Sequence, residues 1–234
     1  MRQMADKAVG VLEIYTVKSI DSFQCKDWLL HKHYAKRVPA IEYSFGLFNQ
    51  SNILSGVCTF GPPPRVMNSG ESIFNNYKVK TLELNRLCVS DGLPKNTLSF
   101  FVSNCLTLLP RPCCVVSYAD YTFGHNGYIY QATNWIYTGL NQIHERQLFL
   151  NGKEVHPRTA CAMGFTSIAD WAKSNPDVTQ GDYTRKHRYF QFLGSKTQKQ
   201  QMRKDLIYPI LPYPKGDNKK YDSSYSPQVQ QQLF

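Results

Sequence analysis

Apolar and polar residues follow two different periods along this chain, and the changes of period outline its elements. Residues 41–48 and 53–60 alternate with period two around Asn49-Gln50-Ser51-Asn52, which predicts a β-hairpin. Residues 11–18 predict an earlier strand, with Leu12, Ile14 and Thr16 on one face. Ser19 or Asp21 can then cap a helix reaching about Lys36, with Phe23, Leu30 and Tyr34 on one side. Residues 81–90 mix Leu82, Leu84, Leu87 and Val89 with Glu83, Asn85 and Arg86, as a half-buried strand does, until Asp91-Gly92-Leu93-Pro94 breaks the run. Asn96 or Thr97 caps the next helix. Its apolar positions are Leu98, Phe101, Val102, Cys105, Leu108 and Leu109, and Pro110 and Pro112 end it. Residues 113–116 are short and apolar and predict a buried parallel strand. Residues 126–137 predict a helix with Ile129, Ala132 and Ile136 inward, closed by Gly139. Residues 146–150 and 154–156 flank Asn151-Gly152, a second hairpin, and residues 167–173 predict a short helix.

These elements give an α/β class with a mixed sheet (α+β), and four regions. Residues 1–10 form a flexible start, 11–165 a catalytic domain, 166–220 a basic aromatic-rich extension, and 221–234 a low-complexity, disordered tail. A strand–loop–helix–strand–helix unit places ligands at the carboxyl ends of its parallel strands. Here that edge collects Arg86, Lys95, Asn96, Thr97, Ser99, Ser117, Tyr118, Asp120 and His125.

Charge narrows the partner. The net charge of +10 points to a polyanion, for which nucleic acid fits best. Between residues 185 and 220 there are ten Lys or Arg against two Asp, with aromatic rings threaded among them. Arg185, Lys186 and Arg188 are candidates for phosphate, and Tyr189 and Phe192 for exposed bases. The alternative is an aromatic-anchored wrap with its lysines in water. Seven cysteines without a C-x-x-C pair suggest buried thiols in a reducing compartment. No signal peptide and no 18-residue apolar run is found, so a soluble cytoplasmic protein is expected, without a membrane partner. His31, His33 and His125 are candidate metal ligands, although i and i+2 lie on opposite sides of a helix.

The stretches ELNRLCVSDGLPKNTLS, SYAD and GHNGYIYQATNWIYTG resemble the Mom-type DNA modification proteins of phages, whose fold is similar to the GNAT acyltransferases. The likeness covers most of residues 10–160. It implies a β-α-β-β-β-α-β-α-β order completed by the hairpin after residue 145, and transfer of an acetamido (methylcarbamoyl) group to the adenine N6 amine of double-stranded DNA. Acetyl-CoA is the implied donor, and escape from host restriction the implied benefit. The resemblance assigns Lys95, Asn96 and Thr97 to the pyrophosphate, and Asn126 with Tyr130 or Tyr137 to the coenzyme channel. The loop departs from the GNAT pattern, because Gly92 stands alone and Pro94 has no N–H to offer a phosphate. Asp120 or Glu83 is the candidate base, Ser117 or Tyr118 the donor to the leaving thiolate, and Arg86 a further catalytic candidate. Attachment through the methyl carbon is harder than acetyl transfer, and a metal ion is a further expectation. An N-acetyltransferase of a small amine or peptide, or a non-catalytic DNA-binding protein on the same frame, are the alternatives.

Overall fold

The computed structural model describes residues 14–63, 73–121, 124–141, 145–155 and 168–216. The expectations for residues 1–10 and 221–234 lie outside the described residues. The main sheet has seven strands in the order β1-β2-β3-β4-β5-β10-β6. These are β1 Tyr15–Ser19, β2 Tyr43–Asn49, β3 Leu54–Gly61, β4 Lys80–Val89, β5 Cys113–Asp120, β6 Ile136–Leu140 and β10 Lys186–Leu193. Only β4 and β5 run parallel; the other neighbours are antiparallel. Helix α1 (Thr97–Leu108) joins the parallel pair and α2 (Tyr128–Ala132) follows β5. The fold is therefore mixed α/β with a mostly antiparallel sheet, and its elements up to β6 keep the expected order.

The two faces of β5 feed two cores. Cys113, Val115 and Ala119 pack with Phe101, Val102, Cys105 and Leu106 of α1 and with Tyr130 of α2. Cys114 and Val116 pack on the other side with Phe190, Phe192, Ile73, Phe74 and Met202. Leu108, expected inward on α1, is exposed, and Leu106 takes the buried position. The six described cysteines are all free and buried.

Five expectations change. The helix over residues 19–36 is instead a 3-10 turn, Ser22–Cys25, and a π-helical turn, Trp28–Lys32. Asp21 does cap the first, but Phe23 is exposed, and Trp28 and Leu29 are the residues that pack against Val57 and Cys88. β1 is also turned over: Tyr15 is buried and Thr16 exposed.

The helix over residues 126–137 stops at Ala132. Asn134 takes a positive φ of 58°, and the β-branched Ile136 and Thr138 then enter β6. The fourth change is the hairpin at Asn151-Gly152. It forms as β7 (Glu145–Leu150) and β8 (Lys153–Val155), but it does not complete the main sheet. It pairs with β9 (Val178–Thr184) in a separate three-stranded sheet, with α3 (Ile168–Ser174) beside it. Finally, the stretch set apart as a basic extension supplies β10, which lies between β5 and β6, followed by α4 (Lys196–Asp205). Among the described residues no helix is long and apolar enough to cross a membrane.

Candidate active site

The site forms where the parallel strands part. Residues 80–83 of β4 pair with residues 113–116 of β5, and the pairing ends there. Beyond it β4 continues along β3 and β5 continues along β10. A register shift opposite Thr59 and Phe60 leaves Asn85 as the extra residue of β4. Thr59 Oγ1 donates to its Oδ1 at 2.6 Å, and its Nδ2 donates to the Ala40 carbonyl at 3.0 Å.

Ser117 sits at the apex of the split, buried, with its hydroxyl donating to the Leu84 carbonyl at 2.8 Å. The Tyr130 hydroxyl lies 2.7 Å from Ser117 Oγ. A serine has one proton and a carbonyl can only accept, so Tyr130 donates to Ser117. Ser117 thus has no proton left for a leaving thiolate, and it acts as a clamp between β4, β5 and α2. Burial raises the Tyr130 pKa further above the ordinary phenol range.

On the other face the chain leaving the π-helical turn brings His33 and Tyr34 to the same opening. Their rings stack with centroids 4.5 Å apart, and Tyr34 meets His125 edge-on at 5.8 Å. Burial and then the Asp120 carboxylate raise Tyr34 to about 12, with Glu83 adding to this and Arg86 opposing it. Burial lowers His33 to about 3, helped by Arg86 and His125. His125 is also lowered by burial, against the pull of Asp120. Arg86 donates to the carbonyls of Asn85 at 2.6 Å and Arg37 at 3.4 Å, which holds it against the segment that carries His33. Asp120 is buried, and Lys186 Nζ lies 3.9 Å from its carboxylate. Tyr118 lies on the same face, its pKa raised by burial and by Glu83.

The structure thus gathers Glu83, Arg86, Asp120 and His125 from the sequence-predicted set, and it adds Tyr34. The sequence places Tyr34 with Phe23 and Leu30 on one side of a long helix, and that helix does not form. His31 stays apart, exposed and paired with Asp27 at 3.7 Å. Among the described residues no group of three His, Cys, Asp or Glu is placed to hold a metal ion.

A family model described as the Mom protein family matches residues 14–215. The chain belongs to the Mom protein family. It is 26% identical over 208 residues to the methylcarbamoylase mom of Escherichia phage Mu, covering 85% of this chain and 83% of that protein. Solved structures give a looser likeness. A protein assigned as an acetyltransferase from Salmonella typhimurium, with its cofactor acetyl-CoA, is 10% identical and aligns over 77% of this chain and 95% of its own, with a TM-score of 0.46. A GNAT family acetyltransferase from Bacillus cereus is 8% identical over 76% and 97%, with a TM-score of 0.42.

Other predicted site residues of this Mom family member fall elsewhere. Lys95 is exposed, Asn96 adopts a positive φ of 70°, and Thr97 Oγ1 donates to the Pro94 carbonyl at 2.8 Å, all at the start of α1. The buried Lys32 anchors the preceding loop through Asp91 at 2.6 Å. The Asn126 carbonyl accepts from the Tyr189 hydroxyl at 2.5 Å and from Gln131 Nε2 at 2.9 Å. Tyr137 is a strand residue of β6, not a helix residue as expected, and its hydroxyl meets His187 Nδ1 at 2.8 Å.

The proposed DNA contacts on β10 are mostly internal. Tyr189 and Phe192 are buried in opposite cores and have no face left for a base. Arg188 is 8% exposed, donates to Thr138 Oγ1 at 2.9 Å and lies 3.5 Å from the Tyr208 ring centroid. Arg185 donates to the Asn141 carbonyl at 3.2 Å, and together with Lys186 remains partly accessible.

Proposed function

We propose that this chain is a DNA-modifying transferase that places an acetamido (methylcarbamoyl) group on the adenine N6 amine, with an acetyl-CoA-type thioester as donor, and so hides phage DNA from host restriction. Its membership of the Mom protein family and its likeness to a methylcarbamoylase support the reaction class. The observation that carries the reading is the parting of β4 and β5, with two carboxylates, an arginine and two histidines gathered at its open end. The β4 edge beyond Glu83 is free of β5, so an extended ligand with amide groups fits beside it. The start of α1, where the Thr97 N–H is held by the Pro94 carbonyl and Lys95 lies nearby, is the place for a pyrophosphate through the next N–H groups and the helix dipole. The thioester, when bound, would supply the two-carbon unit and lose its thiol, while an amine source of the amide nitrogen and a two-electron oxidant for the bond from the methyl carbon to N6 would be co-reactants. Glu83 or Asp120 is the base, Arg86 balances developing negative charge, and Ser117 and Tyr130 hold the split in shape.

Nucleosides from DNA of cells expressing the chain, analysed by mass spectrometry, test this. Adenine enlarged by an acetamide unit is the expected result, and Asp120→Asn should reduce it by about 100-fold or more while leaving the fold intact. Unmodified adenine in DNA from cells with abundant, folded wild-type protein would sink the proposal. An acetyl rather than an acetamido adduct would keep the site and change the group transferred.

A further inference from the structure

His33 is almost entirely inside the protein, at 8% exposure, and its two ring nitrogens have different surroundings. Its backbone closes the π-helical turn, with the N–H donating to the Trp28 carbonyl at 2.9 Å. Its Nδ1 accepts the backbone N–H of Ala35 at 3.1 Å. Only Nδ1 can reach an amide two residues ahead, because Nε2 is on the far side of the ring. An amide nitrogen can only donate, so Nδ1 must present a lone pair. The neutral ring therefore carries its proton on Nε2, and an imidazolium would set two N–H groups against each other. His33 Nε2 is not among the fully buried atoms left without a partner, so its proton is not sealed in the core. Stacking on Tyr34 at 4.5 Å fixes the plane of the ring. Three neighbours from other elements face this corner: Arg86 from β4, and His125 and Asp120 around Tyr34.

We infer that His33 is the electrophile of the site, a neutral imidazole locked in the Nε2–H tautomer by its own backbone, which hydrogen-bonds the carbonyl oxygen of the acyl donor as negative charge builds there. The inference rests on the thioester reading above. Two other roles need what this ring lacks. A general base or a metal ligand acting through Nε2 requires a lone pair on that atom, and the only lone pair is engaged by Ala35. Burial and the Arg86 cation keep the ring neutral across the physiological range. The same cation favours an acceptor whose charge grows during reaction over an adenine ring nitrogen, which stays neutral. Two fixed donors, one neutral and one cationic, suit an oxygen that gains charge. No proton leaves His33. It lends a hydrogen bond while an amine nitrogen bonds to the thioester carbon; the electron pair pushed onto oxygen returns as the C–S bond breaks, and the thiolate leaves with the amine's proton.

Long-range nitrogen NMR of the full chain, without ligand, reads the tautomer directly. His33 should show a protonated Nε2 and an unprotonated Nδ1 that do not titrate between about pH 5 and pH 8. A proton on Nδ1, or titration within that range, overturns the assignment. Infrared difference spectra with acetyl-CoA labelled at its carbonyl carbon read the contact. The carbonyl band should move to lower frequency on binding the wild type and return towards the free position in His33→Asn. Asparagine can still accept the Ala35 amide through its shorter side-chain oxygen, so the turn persists while the donor withdraws. kcat should fall by about 100- to 1,000-fold with little change in KM for the donor. A band equally displaced in both proteins overturns the role of His33 alone. Failure of acetyl-CoA to bind the wild type at all overturns the donor reading and this role with it.

Discussion

His33, His125 and His187 are each pushed towards the neutral form, first by burial, and Arg86 or Arg185 adds to this for His33 and His187. A histidine held below its ordinary 6.5 binds fewer protons in the folded chain than in the unfolded one once the pH drops below that value. Its contribution to stability is complete above pH 6.5 and is lost as the pH falls, for His33 down to about 3. Each such group adds at most about 1.4 kcal/mol per pH unit. Denaturant unfolding followed from about pH 7 to pH 4 should therefore show stability falling with acidity, and His33→Asn should flatten the curve by up to one proton. An unchanged slope in the variant would mean that His33 is solvated. The neighbouring residues divide by the same arithmetic of donors and acceptors. Ser117 spends its proton on Leu84, and Arg188 spends its guanidinium on Thr138 and the Tyr208 ring. Neither is free for a substrate.

At the scale of elements, α2 depends on how closely it approaches β10. Gly127, just before α2, has a φ of 72°, and a Cβ there would lie 2.5 Å from the Tyr189 ring. The Tyr189 hydroxyl in turn holds the Asn126 carbonyl. Gly92 has a similar φ of 71° but open space around it. Gly92→Ala should cost about 1–2 kcal/mol, the backbone penalty alone. Gly127→Ala should cost about 1–3 kcal/mol more, because the ring must move as well. Equal losses in thermal unfolding would mean that the Tyr189 ring yields freely. The Ser117–Tyr130 clamp lies one turn away, so activity should fall in the Gly127 variant and persist in the Gly92 variant.

The whole molecule is a main sheet with a smaller sheet inserted between β6 and β10. The insertion has its own small core of Leu148, Trp171 and Val178, with Leu150 and Ala172 against it. Trp171→Ala removes the largest ring from that core at a cost of about 3–5 kcal/mol, more than so few residues can bear. Hydrogen exchange should show protection lost in residues 145–155 and 168–184 while β4, β5 and β10 stay protected. Loss throughout the chain would make the two sheets one cooperative unit.

Local periodicity by itself determined the hairpin of β2 and β3, strand β4, most of α1, the turn at Asn151-Gly152 and the parallel strand that starts β5. In each, the pattern and the turn residues lie within a few positions of one another. Net charge was legible as well. Tertiary structure alone decided the rest. Lys186 to Leu193 reads as a basic, aromatic, solvent-facing stretch, and it is buried because β5 and β6, far off in sequence, pair with both its edges. Tyr137 meets His187 Nδ1, and Thr138 and the Tyr208 ring take Arg188, partners that no local pattern can reveal, while His187 Nε2 is buried without a hydrogen-bond partner. The break between α2 and β6 depends on Asn134 taking a left-handed turn, although its neighbours would continue a helix equally well. His33 and Tyr34 joined Glu83, Arg86 and Asp120 only because the preceding helix collapsed into two short turns, which let the chain fold back over the split. Sequence sets what each segment can form, whereas pairing between distant segments sets which side chains end up facing one another.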